Sequence, residues 1–372
     1  ESGNGLTSIV LNQLKDELRS GDRVRAGKTR VYYVGEITDF LVSKMLFGHF
    51  VAWWERHWAQ GSCAIGTSPY ELAWSCIYKK AFRYGRVNVI GGDISGLDLS
   101  TDQYFGYNFA VFLLWATGLG SVEAVFNKTF PVRDRESMTA IFYIACSLIG
   151  NIHVDPFGAY LRPLGNPSGH FLTGVLNTVT VFTMFSCIFY SLFPLEVFVQ
   201  RVACVFYGDD NIGSVHPDFL KFNNISIQTL MKSLFGLEFT DPVKGTEMEE
   251  FLPLQSQIFL CRTFREEGSV IWAPLQYDSI FGCLHWTKKE RVTRTGELIR
   301  PIDVLYQNID GAARELSMYS KEDAERYWCQ ILLAIQKAGL RYPEHGPEYW
   351  RQYWANTYHD IPDQFGFRNL LK

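Results

Sequence analysis

The sequence predicts an α+β fold, and three stretches carry that reading. "RVACVFYGDDNIGSV", Arg201–Val215, places apolar runs on both sides of a Gly-Asp-Asp tip and reads as strand, tight turn, strand. From Phe171 to Leu195 no charge occurs, which is the character of a fully buried helix. Ala324, Tyr327, Trp328, Ile331, Leu332 and Ile335 recur at helical spacing and form one apolar face.

The remaining elements follow in chain order. Residues 37–60 have apolar positions at helical spacing, and "RVNVIGGD", 86–93, alternates into a short strand ending at Asp93. Residues 100–150 hold apolar helical segments. "LRPLGNPSGH", 161–170, is a Pro- and Gly-rich loop leading into the uncharged helix. Residues 218–236 read as a helix closed by Gly236, and 256–264 as a strand. Ser320 with Asp323 three residues on makes an N-cap, Gly339 a C-cap, and Pro347 opens a last helix. No internal repeat or low-complexity tract interrupts this order.

Composition excludes several classes. Of 372 residues, 47% are hydrophobic and 20% charged, enough for two or three packed subdomains. A net charge of -4 does not by itself point to nucleic acid. Its distribution does more: from Lys15 to Arg30, six basic residues (Lys15, Arg19, Arg23, Arg25, Lys28, Arg30) face three acidic ones. A strip of this kind is either a solvated loop or a phosphate-binding surface. The eight cysteines are scattered without a Cys-x-x-Cys pair, so neither a zinc knuckle nor a disulfide framework is expected, and a reducing compartment fits. The stretch 171–195 is long enough to cross a bilayer, but it carries Thr, Ser and Asn and no flanking basic cluster, which favours a core helix. The chain opens "ESGNG" without Met and reads as a fragment or processed product.

Adjacent carboxylates at a hairpin tip are turn formers unless another oxygen ligand meets them. Asp93 is the best such partner, after Gly91 and Gly92 at a strand end, where glycines permit close approach; taken by itself it reads as a turn or N-cap aspartate. Oxygen ligands of this type suit magnesium together with substrate phosphates. Two ions held between Asp93 and Asp209 would serve an in-line phosphoryl displacement.

"GDISGLD", "NPSGHFLTGVLN", "YGDD", "FGLEFTDPVKG" and "FLCR" occur in that order. They resemble motifs A to E of the RNA-dependent RNA polymerases of positive-strand RNA viruses, with the picornavirus-like superfamily fitting best. "KDELRSGDRVRAGKTR" resembles its motif F. The resemblance spans about residues 15 to 265. It implies a right-hand polymerase fold: fingers 1–80 with motif F, palm 81–128 with motif A, a fingers insertion 129–165, palm 166–265 with motifs B to E, and a helical thumb 266–372. An N-terminal fingers segment is expected to be missing.

The resemblance also assigns roles. Asp93, Asp209 and Asp210 would be catalytic metal ligands for two Mg2+ ions, with Mn2+ able to substitute. Asp98 would detect the ribose 2′-hydroxyl with Ser168, Thr173 and Asn177, side chains that can both donate and accept. Arg19, Arg23, Lys28 and Arg30 would hold NTP phosphates, Arg30 bidentately. Lys244 sits at the motif D position and would protonate leaving pyrophosphate, unless it is an ordinary loop lysine. Lys15, Gly169, Tyr207, Gly208 and Arg262 would contact primer or template. Gly165 and Gly169 would let the motif B loop flex. Cys261 replaces the Lys usual in motif E, and His170 and Phe171 stand where smaller residues are common.

The implied function is template-directed RNA synthesis from NTPs on an RNA template and primer strand, replicating a positive-strand viral genome. Implied partners are a small viral protein primer and other replication proteins, and the implied location is the host-cell cytoplasm at membrane-associated replication complexes. A reverse transcriptase shares the palm but blocks the 2′-hydroxyl with an aromatic near the Asp98 position. A membrane or scaffold protein built on 171–195 is the other alternative.

Overall fold

The computed structural model describes residues 9–15, 21–57, 61–70, 72–116, 148–242, 247–268, 270–287 and 289–360. Arg19, Lys244 and much of the expected fingers insertion lie outside these. The strands are β1 (Ile9–Leu14), β2 (Val31–Val34), β3 (Val89–Ser95), β4 (Asn151–Asp155), β5 (Gly158–Arg162), β6 (Val202–Tyr207), β7 (Asp210–Val215) and β8 (Glu238–Thr240), followed by two small ribbons. The helices that position the site are α1 (Gly21–Arg25), α2 (Ile37–His57), α3 (Leu72–Ala81), α4 (Leu97–Ser100), α5 (Gln103–Ala116), α6 (Thr173–Leu192), α7 (Phe198–Arg201) and α8 (Asn224–Phe235). Four more, α9 (Tyr277–His285), α10 (Pro301–Leu316), α11 (Lys321–Lys337) and α12 (Pro347–Asp360), make up the C-terminal part.

The central sheet has the order β6-β7-β3-β8 and is antiparallel throughout. β6, Val-Ala-Cys-Val-Phe-Tyr, is a near-continuous apolar run because both faces of this sheet are covered. One face, with Val89, Val205 and Ile212, packs on Trp74, Ile77 and Ala81 of α3. The other, with Ile90, Cys204 and Phe206, packs on Phe185, Ile188 and Phe189 of α6 and Ile227 and Met231 of α8.

The uncharged helix α6 spans Thr173–Leu192 and supplies both a central-sheet cluster and a second cluster with α2 and α5. It is apolar and long enough to cross a membrane, yet here it is a core helix. Its hydroxyls cost little because Thr178, Thr183 and Ser186 donate to the carbonyls of Gly174, Val179 and Phe182, each at 2.8 Å.

Three expected boundaries move. The strand expected to end at Asp93 runs on to Ser95: β3 pairs with β7 through Gly92, then with β8 from Asp93. Asp93 thus sits where the strand changes partner. The helix expected over 218–236 begins at Asn224, because the Asn223 side chain takes the Ser226 N–H and Ser226 returns the bond, a capping box. The expected strand 256–264 is instead a tight hairpin about Leu260 and Cys261, in which Phe259 and Arg262 exchange backbone hydrogen bonds. Ser320 caps α11 as expected, accepting from Asp323 N–H at 3.1 Å.

The described residues of the basic strip lie in the connection between β1 and β2, adjacent strands of a separate sheet, β2-β1-β4-β5, in which β1 and β4 run parallel. In the central sheet, Gly92 meets the ring of Phe239 so closely that a Cβ would fall 2.4 Å from it. Phe239 is wholly buried against Phe185 and cannot retreat. Gly92→Ala should therefore lower stability by about 1–3 kcal/mol, read from a urea midpoint, through overpacking alone.

Candidate active site

The β6–β7 hairpin turns in two residues, Gly208 and Asp209, with Tyr207 paired to Asp210. Gly208 has φ +64°, the left-handed conformation a short hairpin turn needs at this position. Its N–H is held by the Thr178 hydroxyl of α6 at 2.9 Å. Across the sheet, Asn211 donates to the Gly92 carbonyl at 2.9 Å and to Asp209 O at 3.2 Å. These bonds lock the tip against the strand that carries Asp93.

Electrostatics show which carboxylates converge. Asp209 is exposed at the tip, but the protein around it strips part of its water. That loss, with the charges of Asp93 and Asp98, raises its carboxyl above the ordinary range, and Arg30 opposes the shift. Asp210 is half-buried and pushed up to about 6, first by burial and then by Asp209 and Asp93; a bond from the Leu260 N–H pulls the other way. The fold thus gathers Asp93, Asp98, Asp209 and Asp210 into one field, with Arg30 facing it.

Asp98, on α4, accepts from Asn177 Nδ2 at 2.6 Å. Asn177 Oδ1 in turn accepts from Asn166 Nδ2 at 2.8 Å, and Asn166 N–H bonds the Asp98 carbonyl at 2.9 Å. The buried amide of Asn177 is therefore satisfied by a carboxylate rather than by backbone. Ser168 and Thr173 point elsewhere: the Ser168 hydroxyl takes the Tyr33 N–H at 3.4 Å, and Thr173 donates to Pro167 O at 2.6 Å. Asn166 and Thr178 are site residues that sequence reasoning missed. Their signals were present, as an Asn opening the Pro-Ser-Gly loop and a Thr one place after Asn177.

His170 fills the place expected for a small residue by tying the loop to α2. Its Nδ1 accepts from Leu172 N–H at 3.1 Å, so Nε2 carries the proton and donates to the buried Ser43 hydroxyl at 3.1 Å. Burial pushes this imidazole down to about 4, against a weaker opposing pull from Asp39.

Other candidates are distributed as follows. Lys15, Arg23 and Lys28 are exposed in the β1–β2 connection, where Lys15 N–H bonds Arg30 O at 2.8 Å. Tyr207 is exposed beside the tip, and Gly169 lies against Tyr33. Arg262 requires a correction. It is buried, with Nη1 and Nη2 each donating to Glu315 of α10 at 2.8 Å and Nη1 to Ala273 O at 2.7 Å. Tyr70 lies under the guanidinium and also bonds Glu315. A guanidinium committed in this way is an internal clasp rather than a phosphate contact. The adjacent Leu260 and Cys261 both adopt left-handed φ, +54° and +58°, the strained geometry of a two-residue hairpin built without glycine.

A model of the family described as Viral RNA-dependent RNA polymerase matches residues 1–336. The chain belongs to this family. Among relatives of this polymerase-family chain, the replicase polyprotein of Drosophila C virus is 26% identical over 374 residues, covering 97% of the chain and 20% of the relative. That of Cricket paralysis virus is 26% identical over 331 residues, covering 86% and 18%. The chain spans about a fifth of the length of these curated relatives. A solved Sicinivirus 3Dpol RNA-dependent RNA polymerase superposes with a TM-score of 0.71 at 19% identity, over 95% of this chain and 68% of that one. The fold is therefore the right-hand polymerase fold.

The family depends on divalent metal ions. Asp209 and Asp210, raised by burial and by neighbouring carboxylates, offer the oxygen donors a hard cation requires, so the chemistry fits. Among the described residues, no three acidic, histidine or cysteine side chains already meet at ligand distance.

Two outcomes follow for this polymerase-family chain. Asp209 and Asp210 are raised, so their ionised forms at neutral pH work against the fold. Asp209→Asn should raise the Tm of chelator-treated protein by roughly 2–4 °C and abolish the Tm gain on adding divalent cation. His170 is lowered, so its contribution is present above its ordinary value near 6.5 and is lost as pH falls toward about 4. Wild-type urea midpoints should fall more between pH 7.5 and 5 than those of His170→Gln.

Proposed function

We propose that this chain carries the catalytic centre for template-directed RNA synthesis: attack of an RNA 3′-hydroxyl on the α-phosphorus of an NTP, with pyrophosphate leaving. The supporting observation is the meeting of Asp93 and Asp209 in one electrostatic field, beside the Asp98–Asn177 pair. Asp93 and Asp209 would hold Mg2+, with Mn2+ able to substitute, and Asp210 would assist while steadying the Leu260 turn. Such ions neutralise charge on the transferring phosphoryl group and on the oxygens entering and leaving it.

The chain's own groups divide the remaining work. Arg30 would grip the triphosphate, with Arg19, Arg23 and Lys28 lining its approach. Asp98 and Asn177 would read the 2′-hydroxyl, with the hydroxyls of Ser168 and Thr173 shaping the loop beside them. Lys244 would supply the proton for pyrophosphate. Lys15, Gly169, Tyr207 and Gly208 would flank the template and primer. The carboxylate–amide pair at Asp98 favours a ribonucleotide polymerase over the reverse transcriptase reading, and the core position of α6 disfavours a membrane-spanning role.

Within this reading the palm comprises 81–128 and 166–265, the fingers 1–80 and 129–165, and the thumb 266–372. A small viral protein primer, other replication proteins and cytoplasmic, membrane-associated replication complexes complete the proposal. In primer extension on a homopolymeric RNA template with magnesium, Asp93→Asn and Asp209→Asn should each lower incorporation roughly a hundredfold or more, with unfolding still cooperative. Normal extension by Asp209→Asn would overturn the assignment.

A further inference from the structure

The sheet β2-β1-β4-β5 carries a polar ladder across one face. Tyr33 of β2 meets His153 of β4 edge to face, centroids 4.9 Å apart, and His153 stacks on Tyr160 of β5 at 5.7 Å. Asn12 of β1 fills the gap, accepting from His153 Nδ1 at 2.7 Å and donating to the Tyr160 hydroxyl at 2.8 Å. The ladder ties the four strands together, with every rung in ring contact or hydrogen-bonded.

Arg162, the last residue of β5, folds across this sheet. Its Nη1 donates to the Tyr33 hydroxyl at 2.6 Å, and its guanidinium lies 5.4 Å from the Tyr33 ring centre. Its Nη2 reaches the carbonyl of Leu99 at 3.3 Å, one residue from Asp98. The Tyr33 backbone holds the opposite side. Its carbonyl accepts the Gly169 N–H at 3.2 Å, and a Cβ on Gly169 would fall 2.4 Å from that oxygen. Tyr33 lies three residues beyond Arg30 on the same segment. One tyrosine thus joins the segment that follows Arg30, the 168–169 loop and, through Arg162, the helix that carries Asp98.

We infer that Tyr33 and Arg162 are positioning residues for recognition of the ribose 2′-hydroxyl, fixing Asp98 relative to the segment on which Arg30 is proposed to grip the triphosphate. The inference rests on the polymerase reading above. A hydroxyl–carboxylate bond weakens steeply with a few tenths of an ångström or a change of angle, whereas attraction between a cation and a triphosphate does not. Loosening the strut therefore penalises a ribonucleotide and leaves a deoxyribonucleotide, which never makes that bond, where it was.

Tyr33→Phe removes only the hydroxyl and keeps strand pairing and ring stacking; Arg162→Gln removes the fork. Steady-state incorporation of ATP and dATP on primed RNA, with Tm measured alongside, reads the effect. The ribo-to-deoxy ratio of kcat/KM should fall roughly fivefold to tenfold in each variant. The change should appear as a raised KM for ATP with the KM for dATP unmoved. An unchanged ratio, or equal losses on both nucleotides, overturns the inference while leaving an active polymerase. A wild-type protein that incorporates neither nucleotide overturns the polymerase reading and this inference together.

Discussion

The architecture depends on how closely β3 can lie against its neighbours. Gly91 and Gly92 offer no side chain where the strand passes Asn211 on one side and the Phe239 ring on the other. Only at that separation do Asp93, mid-strand, and Asp209, at a hairpin tip more than a hundred residues later, share a field. Packing here determines electrostatics. Two apolar clusters clamp the sheet from both faces, and that clamp is what forces like charges together.

The charged centre is accordingly a local weakness inside a strong frame. Raised carboxyls mean that the fold works against their ionisation, and the opposing contribution comes from buried aromatic side chains such as Phe185, Phe206 and Phe239. The same division holds at the 168–177 loop. Its working groups are few, whereas the bonds from Asn166, Thr173 and His170 exist to hold the loop's shape. A site that must present polar groups at fixed angles needs more residues to support it than to act.

Much of this was legible in the sequence where local rules govern. The Gly-Asp-Asp hairpin, the Ser320 cap and the apolar faces of α6 and α11 follow from alternation, helical spacing and turn chemistry. Asp98 and Asn177 were legible only as members of ordered motifs, since nothing local joins residues 79 positions apart. What stayed hidden has a common cause. Leu260 and Cys261 are not turn formers, so a hairpin built on them reads as a strand. Arg262 sits in a motif that suggests phosphate, and its true partner, Glu315, lies 53 residues away. Tyr33 and Thr178 act through bonds to backbone groups of distant segments, which leave no periodic trace.

The Arg262–Glu315–Tyr70 clasp bears on how the chain comes to be folded. Its members are separated by 53 and 245 residues, so it closes long loops and cannot form until Glu315 has been synthesised. A ribosome that has released the chain through residue 300 has delivered every carboxylate of the central cluster but not Glu315. Arg262 then has no buried counter-charge, and an unpaired buried cation is strongly unfavourable. The hairpin it anchors, whose Leu260 N–H steadies Asp210, cannot settle before then. Closure of the hairpin beside Asp210 is thereby tied to a long-range contact with α10, of the slow-forming kind.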